Sequence, residues 1–150
     1  MKINRQPFHM EHLVTYTDTC KIDDWDEGIL NLESIVLDEG LYQTAPIFFT
    51  ISDQVGEPEY KTFEYFMPIS WRAEFQSDLV NYVEVFELPD TLVLRQADQM
   101  DSLDDALKQL ESYAKNNNLI LGKNKVCLCT ELYGEYIIDL FVEIEKGDEK

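Results

Sequence analysis

The chain repeats itself at a spacing of 78 residues, the distance from Trp25 to Leu103. Moved back by that spacing, Leu103, Leu107, Leu110 and Ala114 land on Trp25, Ile29, Leu32 and Val36. Ser102 lands on Asp24 and Asn118 on Gly40. The triplet Leu110-Glu111-Ser112 falls on Leu32-Glu33-Ser34, residue for residue. Two copies of one unit must fold as two like units, and function is expected where they meet.

Each apolar set follows i, i+4, i+7, i+11, which is one stripe of a helix and not a strand pattern. Helices are predicted over residues 25–39 and 102–117. Asp24 is placed to cap the first, with Glu27 three residues on, and Ser102 to cap the second, with Asp105 in the third position. Gly40 and Asn118 suit the left-handed residue that closes a helix. A strand is predicted before each helix, over residues 13–17 and 91–95, and the flanks Phe8 and Met10 match Phe86 and Leu88. Two extended runs follow each helix: residues 47–52 and 62–70 in the first copy, 125–130 and 136–144 in the second.

The loop over residues 53–60, with Gly56 and Pro58, is longer than its counterpart, so the offset falls to 75 for the last strands. Glu64 then falls on Asp139, Phe66 on Phe141 and Ile69 on Ile144. Residues 72–82 link the copies, and residues 147–150 form a charged tail. The expected architecture is α+β: one domain over residues 1–150, with repeats at about 8–71 and 86–145. These duplicated βαββ units are expected to form an antiparallel sheet with two helices on one face and a groove on the other.

Side chains alternate along a strand, so the last strands can be sorted by face. Ile138, Leu140, Val142 and Ile144, matched by Phe63, Tyr65, Met67 and Ile69, are wholly apolar and should pack under the helices. Ile137, Asp139, Phe141 and Glu143, matched by Glu64, Phe66 and Pro68, make a mixed face. If the copies are related by a pseudo-twofold axis, Glu64, Phe66, Asp139 and Phe141 converge on the groove. Carboxylates beside phenyl rings suit an organic cation, since one cation–π contact contributes ~0.5–2 kcal/mol. The same acids would equally serve to wet the open side of an antiparallel sheet. Glu131, Tyr133 and Glu135 stand at the turn between the last two strands as a candidate rim.

Thirty acidic residues against twelve basic ones leave a net charge of −18. That surface repels nucleic acid and anionic membrane, and it attracts a basic partner. No apolar run approaches the ~18 residues of a membrane span, and the N-terminal residues lack the core of a signal peptide. The expected location is cytoplasmic, which an odd number of cysteines also fits. Cys127 and Cys129 share one strand face and map onto Phe49 and Ile51, so they read as packing thiols. No metal site or cofactor is expected, because neither a second cysteine pair nor a nearby histidine completes a ligand set.

Catalysis finds little support. There is no G-x-S-x-G elbow and no phosphate-cradling glycine loop, and the two histidines, His9 and His12, lie near the start. Paired acids such as Glu64 and Asp139 are able in principle to run a hydrolysis, but the chain reads as a non-enzyme.

Twin strand–helix–strand–strand units, closing on Leu119, residues 126–130 and residues 138–144, resemble the GyrI-like effector-binding domain. The resemblance covers nearly the whole chain and rests on organisation. It implies a groove between the repeats, lined by acidic and aromatic side chains, of which Glu64, Asp139, Phe66 and Phe141 match by strand position. It also implies a ligand module of transcription regulators, although no basic helix-turn-helix is present in this sequence. In length, acidity and opening residues the chain is also similar to acidic proteins encoded beside type VII secretion toxins, whose EsaE-like members are chaperones.

Two functions compete on these observations. The first is an adaptor or chaperone for a basic protein partner such as a secreted toxin, which the net charge favours. The second is a stand-alone small-molecule module for a cationic or aromatic ligand, which the groove chemistry favours. Of the two, the adaptor is the expected function.

Overall fold

Both helices form where the apolar stripes place them, and both end alike. The computed structural model describes residues 2–53, 59–70, 80–95 and 103–146. The elements are β1 (Lys2–Lys21), a 3-10 turn (Ile22–Asp24), α1 (Trp25–Asp38), β2 (Ile47–Asp53), β3 (Tyr60–Pro68), β4 (Val80–Arg95), α2 (Leu103–Asn116), β5 (Ile120–Leu132) and β6 (Glu135–Lys146). Strand, helix, strand, strand thus occurs twice, and every described strand pairing is antiparallel. This is the α+β class expected. No helix among the described residues is long and apolar enough to cross a membrane.

Gly40 and Asn118 carry φ of 71° and 57°, the left-handed closure expected of both. The amide of Leu41 donates to the carbonyl of Val36 at 3.1 Å, and that of Leu119 to Ala114 at 2.9 Å. These two bonds stand at the 78-residue offset, so the repeat extends to single hydrogen bonds. The start of α1 differs from expectation. Asp24 ends a 3-10 turn and makes no side-chain cap bond, because its φ/ψ of −96°/15° is not the extended conformation a cap requires. Ser102 lies outside the described residues, as do the Gly56–Pro58 turn, most of the linker and the charged tail.

The chain divides into two compact units, one of residues Met10–Phe86 and one of Met1–His9 with Glu87–Lys150. In the first, β3 runs between β1 and β2, so that Phe66 lies opposite both Thr15 and Phe48. In the second, β6 runs between β4 and β5, so that Phe141 lies opposite both Val93 and Val126. The outer partners differ by 78 residues and the central ones by 75, which is the register that the sequence offsets demand.

Phe63, Tyr65, Met67 and Ile69 are buried, as are Ile138, Leu140, Val142 and Ile144. In the first unit Tyr65 meets α1: its hydroxyl donates to the carbonyl of Trp25 at 2.5 Å. Trp25 in turn lies 5.7 Å from the Phe49 ring. In the second unit α2 rests on β5 and β6 and buries Ala106, Leu110 and Ala114. Burying a side chain the size of Leu110 contributes ~1.5–3 kcal/mol.

β1 is far longer than the five residues expected. Its extra length carries Phe8 into the second unit, 4.9 Å from Phe141. β4 likewise begins early and carries Phe86 into the first unit, 5.0 Å from Phe66. Phe8 and Phe86 are repeat equivalents, so each copy's leading strand completes the aromatic packing of the other copy's unit.

Candidate binding site

Glu64 stands in the middle of β3, on the face turned away from the helix. Residues directly opposite one another across an antiparallel pair share a face, so Thr17 of β1 and Thr50 of β2 flank it. The next row towards Pro68 holds Thr15, Phe66 and Phe48. The row on the other side holds Thr19, Thr62 and Ser52, and the hydroxyls of Thr19 and Thr62 are 2.9 Å apart.

Phe66 and Phe48 stack with ring centres 4.7 Å apart and planes within 6°. The Phe86 ring closes on both, 5.0 Å from Phe66 and 5.2 Å from Phe48. Phe48 and Phe66 are buried, whereas Phe86 is half-buried. Glu64 itself is exposed, yet it is desolvated enough that its carboxyl is pushed above the ordinary value of 4.5. It makes no hydrogen bond or ion pair with any of the described residues.

Asp139 and Phe141 belong to the other unit, and there the equivalent acid is differently placed. Asp139 is buried, and Oδ2 lies 3.7 Å from Nη2 of Arg95. Arg95 is the residue 78 positions after Thr17, so a guanidinium occupies the place of a hydroxyl. Phe141 is buried against Phe8, with ring planes 65° apart. The structure therefore joins Glu64 with Phe66 in one unit and Asp139 with Phe141 in the other, and among the described residues only Asp139 of the two acids has a cation beside it.

The residues that complete the Glu64 face escaped the sequence reading. Thr17, Thr50, Phe48, Phe86 and Arg95 come into place only through strand register. The signal was present: applying the offsets to the first and third strands of each copy would have aligned them. At the last turn Tyr133 is fully exposed and followed by Gly134, with φ of 54° and 82°. Glu131 and Glu135 are exposed on either side. Cys127 and Cys129 are buried free thiols, placed as packing residues.

No protein-family model matches the chain, and no curated protein matches it by sequence. Solved structures do match. The C-terminal domain of EcmrR superposes with a TM-score of 0.68 at 14% identity, covering 97% of this chain and 99% of that one. A structure described as a hydrolase from Listeria innocua gives a TM-score of 0.63 at 7% identity, covering 94% and 91%. SAV2435, solved bound to tetraphenylphosphonium, gives 0.50 at 11% identity, covering 97% and 94%. The chain therefore shares the fold of these structures. These likenesses extend over almost the whole chain and concern the fold.

Proposed function

We propose that the chain is a non-enzymatic binding domain for a small organic cation, with Glu64 as the anchoring carboxylate. The observation that carries this reading is the state of Glu64: partly desolvated, without a cationic partner among the described residues, and one row from three packed phenyl rings. A carboxylate held partly out of water gains more from a bound cation than one in bulk solvent. The ligand of SAV2435, a cation carrying four aromatic rings, supports the same chemistry on the shared fold. Asp139, already neutralised by Arg95, has a structural role in this reading.

The test is thermal denaturation against a panel of cationic aromatic compounds that includes tetraphenylphosphonium. At least one should raise the Tm of the parent, and Glu64→Gln should abolish that rise while Asp139→Asn retains it. An identical response in parent and Glu64→Gln would remove the carboxylate from the site.

The net charge of −18 favours a second reading, a cytoplasmic adaptor for a basic partner such as a secreted toxin. That reading requires a basic protein to co-purify in stoichiometric amount and to be released by salt. A chain that always elutes alone would refute it.

A further inference from the structure

Leu30 and Leu37 stand on the outer side of α1, 56% and 75% exposed. With the exposed Ser34 between them they follow i, i+4, i+7, so the three share one stripe of the helix. That stripe is turned away from the buried Ile29, Leu32 and Val36. A single exposed leucine needs no explanation, but this pair has an internal comparison. The residues 78 positions on are Lys108 and Lys115, both exposed on α2. There each lysine follows an acid, Asp104 or Glu111, by four residues, the spacing at which opposite charges support a solvated helix. The acids recur in α1 as Asp26 and Glu33, yet leucine stands in the place of each lysine.

The surroundings of the two leucines specify what would cover them. α1 contains no lysine or arginine. At about 100° per residue, Asp26 and Glu33 flank the stripe on one side and Glu27 and Asp38 on the other. Apolar residues at seven-residue spacing with charges along both sides are the means by which one helix receives another, and the flanking charges choose the partner. The small Ser34 lets a second backbone come close. A second copy of this helix would set four carboxylates against four. A helix with lysine or arginine in the facing positions would find complementary charge on both sides.

We propose that the outer stripe of α1 docks a basic amphipathic helix of a protein partner. Its apolar side chains pack on Leu30 and Leu37, and its cations face the flanking carboxylates. The inference rests on the adaptor reading, to which it gives a surface, and it is independent of the Glu64 site.

The experiment is fluorescence anisotropy with a labelled synthetic peptide about three heptads long, carrying leucine in the seam and lysine beside it. A peptide of the same composition in shuffled order is the control for charge alone. The proteins are the parent and Leu30→Gln/Leu37→Gln, which leaves the net charge unchanged, with folding checked by circular dichroism. The parent should bind the ordered peptide at least tenfold more tightly than the shuffled one. The double variant should lose that preference and keep only the weak, salt-sensitive binding of the shuffled peptide. No preference in the parent, or the same preference in the double variant, would overturn the docking stripe, and co-purification of a basic protein would still decide the adaptor reading. A parent that sediments as a dimer and a double variant that sediments as a monomer would also overturn it, by assigning the stripe to a second copy of the chain.

Discussion

Gly28 lies directly over the ring of Tyr65, so closely that a Cβ there would stand 2.1 Å from Cε2 and 2.3 Å from Cζ. Only glycine permits α1 to sit down on an aromatic at this point. In the other repeat the same two positions hold Ala106 and Leu140. A methyl group is added on the helix where a ring is exchanged for an isobutyl group on the strand. The duplicated unit has kept its backbone and traded volume across the helix–sheet contact.

Gly28→Ala is therefore expected to destabilise the chain by about 1–3 kcal/mol, despite the better helix propensity of alanine. Tyr65→Leu alone leaves a void and loses the hydrogen bond to Trp25. The double variant, which copies the second repeat, should lose clearly less than the sum of the singles. Urea denaturation of all four proteins measures this coupling. Additive losses would show that the two side chains do not compete for the same space.

Glu64 carries a signature in stability as well as binding. Folding raises its pKa, so the folded chain holds the proton more tightly than the unfolded one. Stability from this group is then lost as pH rises from the ordinary value of 4.5 through the raised one. Glu64→Gln does not ionise and escapes that loss. It should be more stable than the parent at pH 7, and the advantage should vanish on acidification below pH ~4. High salt screens the general relief of negative charge and leaves the desolvation part. A variant less stable than the parent at pH 7 in high salt would contradict the geometry.

The helices, both closures and the matching of Glu64 with Asp139 were legible because each follows from short spacings along one copy. Gly40 and Asn118 announce themselves by residue type. The Phe48–Phe66–Phe86 cluster did not, because it joins three strands, one of them from the linker side of the other copy. The length of β1 was hidden for a related reason. It runs past His12, whose φ of 57° interrupts the alternation on which a strand is recognised. The contrast between Thr17 and Arg95 decides which acid is available, and it needs register as well as sequence.

The three thiols should be nearly inert in the native chain. Burial pushes Cys127 up to about 12 and Cys129 well above 9.0. Desolvation, aided by Asp18, Asp24 and Glu27, pushes Cys20 up to about 11. At pH 8 a thiol of that acidity is ionised in about one molecule in a thousand. Titration with a disulfide reagent should show slow reaction of the native protein, Cys20 first, and prompt reaction of three thiols in denaturant. Rapid native reaction of two thiols would place Cys127 or Cys129 at the surface.

Tyr133 occupies the first central position of a two-residue turn in which both φ angles are positive. Leu132 and Glu135 pair across it, and that turn type prefers Asn-Gly to a bulky residue followed by glycine. The ring recovers nothing by packing, since it is fully exposed. Tyr133→Asn should therefore stabilise the chain by about 1 kcal/mol, the usual cost of a non-glycine residue held left-handed. If Tyr133 were part of a ligand rim, the same substitution would weaken binding of the cationic probes. The proposal that Glu64 anchors the ligand requires the opposite: a higher midpoint in urea with affinity unchanged. A fall in affinity of tenfold or more would move the site to the β5–β6 turn.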